Sequence, residues 1–303
     1  YFTWGRNQAD ALREIYGDDI DVHVTGNPRF DLLHPGLREL YERSGSRHRD
    51  QFGEYVLVNT NFGVANPIVD ELVRLNLEKL LDSTAGLYNH SQRVYHLFVE
   101  SLLYLQSTLD GATMVIRPHP SENIASYESI FEEFDDVVVE YSGDARAWIA
   151  GANSVVHHDC TTGIESALME KPVFAYRPIK NEEFEAELPQ AVSQQAFERE
   201  QLKEYVTAAR GQQNPVRMSD EQRAYLTGYF HNADGPTVGE ICDVIDEFEF
   251  GRAINYGAFE PGVVEEFERS VKASRFSEYV VGLYDASQEL VGDGLSGKRR
   301  HSR

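Results

Sequence analysis

Nine consecutive residues, His157-His158-Asp159-Cys160-Thr161-Thr162-Gly163-Ile164-Glu165, place hydroxyls, a glycine and a carboxylate where an apolar run gives way to a helical pattern. Small residues at a helix start leave backbone N–H groups free to face a diphosphate, and the helix dipole favours an anion there. Glu165, about one turn in, could reach a ribose hydroxyl pair. The same letters also describe an ordinary helix start, with Thr161 or Thr162 as cap and Glu165 closing a capping box. Metal ligation by the first four residues is disfavoured, because neighbours along a strand point to opposite faces and cannot all reach one ion. His158 is assigned to the edge of this pocket and His157 to packing.

A second cluster is Arg117-Pro118-His119-Pro120-Ser121-Glu122-Asn123. Prolines on both sides of a histidine fix the backbone and present the ring rigidly. His119 could donate to a phosphate or move a proton near neutral pH, with Arg117 orienting the turn; the alternative is a stiff surface turn. A third cluster, Asn59-Thr60-Asn61-Phe62-Gly63, is a polar turn from which Asn61 and Gly63 could approach the same ligand. Asp18-Asp19-Ile20-Asp21 has a metal-like spacing but reads as an exposed acidic turn.

Each cluster follows a short apolar, β-branched run. The runs at 55–58, 113–116, 137–139, 154–157 and 172–176 read as strands. Helical patterns separate them: Pro67 to Leu81, His90 to Leu109, Tyr127 to Phe134, Ala145 to Ala150 and Thr162 to Glu170. Strands alternating with helices predict an α/β fold, a Rossmann-like parallel sheet with helices on both faces. In such sheets ligands bind at the carboxyl ends of the strands, so the fold itself would gather the three clusters. Before the sheet come a helix (Gln8 to Tyr16), a short strand (22–24) and a charged stretch, 38–51, read as a connector. After it, helices are expected at Gln195 to Gly211, Asp220 to His231, Thr237 to Phe248 and Val263 to Leu283, with a frayed basic tail from Ser296.

The 303 residues carry 50 acidic against 28 basic side chains, a net charge of −22. Such a surface repels phosphate backbones, which excludes nucleic-acid binding as the main task. The acids are dispersed and Lys is confined to Lys79, Lys171, Lys180, Lys203, Lys272 and Lys298, a composition like that of salt-adapted cytoplasmic proteins. No apolar run is long enough to cross a bilayer and no signal peptide is visible. Cys160 and Cys242 are too few for a disulfide framework and fit a reducing compartment.

Three segments together, Val24-Thr25-Gly26-Asn27-Pro28-Arg29-Phe30-Asp31, Arg117-Pro118-His119-Pro120 and His158-Asp159-Cys160-Thr161-Thr162-Gly163-Ile164-Glu165-Ser166-Ala167, resemble the surface-carbohydrate or polysaccharide biosynthesis proteins of the GT-B superfamily. Phe2-Thr3-Trp4-Gly5 with Gln8 is similar to a segment those proteins carry just before the Thr-Gly-Asn-Pro motif. More distant likenesses are to CDP-glycerol glycerophosphotransferases, capsular Kdo transferases and bacterial polysialyltransferases. The resemblance covers residues 1–180 and rests on the order of short motifs. It implies a two-domain enzyme with the active site in a cleft, of which 1–51 is the end of the first domain with a connector, 52–250 the donor-binding domain and 251–303 a helical extension. It further implies a nucleotide-sugar or CDP-activated donor, a glycan or lipid-linked acceptor, no metal or other cofactor, and a cytoplasmic location, with a peripheral position at the inner membrane face as the alternative. His119 would be the catalytic group; Arg117, His158, Thr161, Thr162, Gly163, Glu165, Asn61 and Gly63 would hold the donor. With the first domain absent, donor binding without turnover is expected. A rival resemblance, to non-hydrolysing UDP-N-acetylglucosamine 2-epimerases, is weakened by Thr-Thr-Gly in place of Ser-Gly-Gly and by the position of Glu122-Asn123. A non-catalytic sugar-nucleotide-binding protein is the remaining alternative.

Overall fold

A computed structural model describes residues 1–68, 85–210, 214–231 and 237–247. The expected helices at Pro67 to Leu81 (beyond residue 68) and Val263 to Leu283, and the basic tail, lie outside these residues. Six strands form one parallel sheet: β3 (Tyr55–Asn59), β4 (Thr113–Arg117), β5 (Val137–Val139), β6 (Ser154–His157), β7 (Val173–Tyr176) and β8 (Gln194–Ala196). Their order is β5-β4-β3-β6-β7-β8. The chain builds outward from β3 to β5, then crosses back to β6 and builds the other way. The reversal leaves a crevice outside the carboxyl ends of β3 and β6, where a doubly wound sheet receives ligands.

Alternation along each strand supplies both faces. Val56, Val58, Met114, Ile116 and Val156 pack with Val94, Phe98 and Leu102 of α4 (Ala85–Gln106), Tyr127 of α5 (Ile124–Phe131) and Leu202 of α9 (Arg199–Arg210). Tyr55, Leu57, Val115 and Val155 pack on the opposite side with Trp148 and Ile149 of α6 (Ala145–Gly151), Ile164 of α7 (Thr162–Leu168) and Leu226 of α10 (Asp220–Tyr229). A period of two with both faces covered is why these strands read as unbroken apolar runs.

Two sequence expectations are corrected. Residues 38–51 are not an irregular connector: α3 (Glu39–Phe52) is a full helix whose one buried residue is Gly45. A Cβ on Gly45 would lie 2.5 Å from the Gly151 nitrogen, so α3 crosses α6 backbone to backbone, glycine against glycine. The predicted helix at Gln195 begins instead as the edge strand β8, and α9 follows at Arg199.

The first 31 residues contain α1 (Arg6–Tyr16), α2 (Pro28–Asp31) and a two-stranded parallel pair, β1 (Phe2–Thr3) with β2 (His23–Val24). They are tied to the far end of the described chain. The buried Asp31 carboxylate accepts the Thr237 and Val238 N–H groups at 2.9 Å each, capping α11 (Thr237–Glu247), while α8 (Glu187–Ala191) leads into β8. Trp4, Phe30 and Phe230 stack nearby.

Candidate functional site

The turns after β3 and β4 are zipped together. Asn123 donates to the Asn66 carbonyl (2.9 Å), Asn66 Nδ2 to the Asn123 carbonyl (3.0 Å), and Ile68 to Ser121 (3.2 Å). At the centre is Glu122, 1% exposed. Its Oε1 accepts from Thr60 Oγ1 at 2.7 Å and the His119 N–H at 2.8 Å, and its Oε2 from the Tyr127 hydroxyl at 2.6 Å. Three donors replace the water a buried carboxylate would lose. Burial and the Glu122 carboxylate push the Tyr127 phenol up. Sequence reading missed this hub, because an acid three residues after a histidine reads as solvent-facing.

His119 is exposed, and its tautomer follows from its neighbours. The Ser121 N–H donates to Nδ1 at 3.2 Å and Ser121 Oγ lies 2.7 Å from the same nitrogen. Nδ1 is therefore an acceptor, and the neutral ring carries its proton on Nε2, with no partner among the described residues. Such a ring presents an N–H donor at its outer edge. Gly63 lies against Ser121 so closely that a Cβ would collide with its hydroxyl. Arg117, by contrast, is not aimed at this turn: its guanidinium donates to the Ser142 and Gly143 carbonyls at 2.8 and 2.7 Å.

The crevice is spanned by Asn61, whose Nδ2 donates to the Asp159 carbonyl at 2.9 Å. Asp159 has φ +49°, a left-handed turn that bends the chain sharply from β6 into α7. The N–H groups of Gly163, Ile164 and Glu165 go to the carbonyls of Cys160 and Thr161. The Thr162 N–H, like its hydroxyl, is directed at the Cys160 thiol, which leaves the Thr161 N–H as the backbone donor without an acceptor among the described residues at this helix start. The capping-box alternative does not form: Thr161 makes no side-chain cap and Thr162 Oγ1 donates to Cys160 Sγ at 3.0 Å.

Gly163 has a different reason from the one its place in the motif suggests. A Cβ there would stand 2.5 Å from Nε2 of His157, so the glycine is required by the imidazole beneath it. His157 is fully buried; Nδ1 accepts from Cys160 (3.4 Å), and Nε2–H donates to Ser193 Oγ (2.8 Å), which donates to the Pro189 carbonyl. His158 stacks on Phe62 at 5.3 Å and gives its Nδ1–H to the Tyr176 carbonyl at 3.1 Å. Burial lowers both rings, His157 to about 3 and His158 to about 4.

Unfolded histidines protonate near 6.5, so below that pH the unfolded chain takes up protons that the folded chain refuses. Stability is therefore complete above about pH 6.5 and falls as the solution is acidified toward pH 4. With two such rings the slope reaches about 2.7 kcal/mol per pH unit. Urea midpoints at pH 7.5 and 5.5 should show this, with a shallower fall in His158→Asn. Equal midpoints at both pH values would contradict it.

Glu165 is 2% exposed. Its Oε1 meets Arg29 of the Asn27-Pro28-Arg29 junction at 2.9 Å, while Oε2 is buried without a partner among the described residues. Burial raises its pKa, opposed by Arg29 and Arg146. The side-chain amide of Asn59, at the carboxyl end of β3 and in register with Arg117 and His157, is also buried and unpartnered at both atoms. Unmet polar atoms are uncommon in folded interiors; here they flank the switch point. Arg29 and Asn59 were not singled out from sequence. The strand-end position of Asn59 was the available signal, whereas Arg29 is 136 residues from its partner and left none. Among the described residues no three His, Cys, Asp or Glu gather as a metal-ion site, and no helix is long and apolar enough to cross a membrane.

No family model matches the chain, and no curated protein matches it. Among solved structures it is similar to the wall teichoic acid polymerase TagF with CDPG, at 12% identity and a TM-score of 0.47 over 81% of this chain and 55% of that one. It is similar to Anabaena HepE in complex with UDP and glucose, at 13% identity and 0.43, over 82% of this chain and 62% of the other. A UDP-GlcNAc 2-epimerase from Methanocaldococcus jannaschii gives 14% and 0.46, over 78% and 59%. The chain thus spans 55% to 62% of the length of these structures. At such identity the likeness is one of fold, and what each of those proteins binds or makes is a property of that protein.

Proposed function

We propose that the crevice at β3 and β6 binds a nucleotide-activated sugar or polyol, and that the chain is the donor-binding half of a glycosyltransferase-like enzyme of surface-polysaccharide assembly. The observation that carries this reading is the buried Oε2 of Glu165, unpartnered among the described residues, beside a helix start whose Thr161 N–H is likewise unpartnered there. A carboxylate oxygen of that kind suits a ribose hydroxyl, which would supply the donor it lacks among the described residues. Thr161 would hold phosphate through its N–H group with Thr162 beside it in the same turn, and His119 Nε2–H would donate to the phosphate as charge builds on the leaving group. Asn61 would fix the crevice wall from β3, and Gly63 would keep the His119 turn close. His158 and Gly163 would serve as floor, and Arg117 as the brace of the 142–143 loop. No metal is needed in this scheme, since hydrogen-bond donors meet the leaving phosphate. The acceptor, a glycan or lipid-linked chain, and a position at the inner membrane face belong to the same proposal.

Calorimetry against CMP, CDP, UDP and GDP tests it. One nucleoside diphosphate should bind, and Glu165→Gln should weaken it roughly tenfold, the value of a hydrogen bond to a charged acceptor. Failure of all four nucleotides to bind, or an unchanged affinity in Glu165→Gln, would refute the reading.

A further inference from the structure

At the other end of the sheet, below the amino ends of β3, β6 and β7, lies an open cavity of about 540 Å³. Its lining includes Arg38, Arg49, Lys171 and Arg210, together with Glu54 and Asn153. Arg38 is neutralised by Glu42 (2.9 Å) and Glu170 (3.4 Å). The other three cations touch only main-chain carbonyls. Lys171 Nζ donates to Ala150 (2.6 Å) and Ala152 (3.1 Å), Arg49 to Gly151 through Nε (3.1 Å) and Nη2 (2.7 Å), and Arg210 to Leu109 and Asp110. None has a carboxylate partner among the described residues. Glu54, exposed, is the one lining carboxylate outside an ion pair.

The plain explanation is that Lys171 and Arg49 cap the C-terminus of α6, where three carbonyls need donors and the helix dipole is negative. Capping alone does not explain why a chain of net charge −22 gathers four cations against three carboxylates, Glu42, Glu54 and Glu170, on one cavity. Nor does it use their full capacity: Lys171 has a third N–H, and the Nη1 group of Arg49 is unspent. Burial first, then Arg49 and Arg38, lower Lys171 to about 8, against the opposing pull of Glu42. A cavity of this size holds a small molecule, and fixed guanidinium and ammonium groups suit phosphate oxygens.

We propose that this cavity is an anion site, separate from the strand-end crevice, for the phosphate groups of a small molecule. Inorganic pyrophosphate is the probe, titrated by calorimetry at low salt into the whole chain. Saturable binding is expected, weakened roughly tenfold in Arg210→Gln through loss of one charge-assisted contact. It should tighten roughly threefold in Glu54→Gln, where an exposed like charge is removed without touching any packing. His119→Asn should leave it unchanged, which separates this site from the crevice. If Arg210→Gln fails to fold, Glu54→Gln decides alone. Pyrophosphate should also slow acetylation of Lys171 at pH 8, as a bound anion holds the amine protonated. Absent binding, binding indifferent to Glu54→Gln, or binding lost in His119→Asn would overturn the proposal.

Discussion

Glu122→Ala is expected to cost about 4 kcal/mol of stability and to abolish nucleotide binding together. The substitution strands three buried donors at once, the Thr60 hydroxyl, the His119 N–H and the Tyr127 hydroxyl, whose distances to the carboxylate are 2.6 to 2.8 Å. Each would be left unpaired at roughly 1–3 kcal/mol, partly relieved where water enters. Glu122→Gln separates stability from positioning. An amide retains one acceptor oxygen but turns an NH2 toward a donor, so one of the three contacts becomes repulsive. It should lose about half as much stability and still shift the His119 ring resonances, because the backbone that carries the ring is held by this carboxylate. Urea denaturation and ring chemical shifts check the two parts. Wild-type stability in Glu122→Ala would mean that the turns hold each other without the hub.

Gly163→Ala is the second large effect, about 3 kcal/mol, or roughly 6–12 °C in melting temperature for a unit of this size. One methyl group would press on His157 Nε2 at 2.5 Å and Cε1 at 2.8 Å, and that ring is fixed below by Ser193. It cannot step aside without breaking the relay to the Pro189 carbonyl. Pairing the change with His157→Ala should recover part of the loss, since the clash and the ring disappear together. The coupling should exceed 1 kcal/mol, as expected of residues in direct contact. Additive losses would mean instead that Gly163 is required by a ligand or by its own backbone. Thermal melts of the four proteins give the answer.

These two residues also mark where sequence reading stopped. The sheet was legible because strands buried on both faces spell continuous apolar runs: Tyr55-Val56-Leu57-Val58, Thr113-Met114-Val115-Ile116 and Ser154-Val155-Val156-His157 all stand in the predicted places. The edge strand Gln194–Ala196 was not, since an edge needs no apolar run and its glutamines resemble a helix start. Helix α3 was hidden for another reason. It buries a glycine rather than an apolar stripe, and a backbone-to-backbone crossing leaves only a charged sequence to read.

At the site, the strand-end positions of Asn61, His119 and Thr161 followed from topology. The partners did not, because Glu165 with Arg29 and Asn61 with Asp159 are far apart in sequence. The motif glycine was found but its cause was misplaced. From sequence, a glycine beside two threonines suggests an approaching phosphate; the neighbour that requires it lies six residues upstream, under the helix.

Asp31 has a consequence for how the molecule is made. Its carboxylate closes on Thr237 and Val238, more than 200 residues later. During synthesis the strands from β3 to β8 can pair as they emerge, each beside neighbours already present. Asp31 has no such neighbour and must wait, its junction open, until Thr237 and Val238 have left the ribosome. Loop closure over that distance costs only slowly growing entropy, but it sets the order of events and slows the last one. The sheet is thus assembled first and the seam between Asp31 and Thr237 is sewn last.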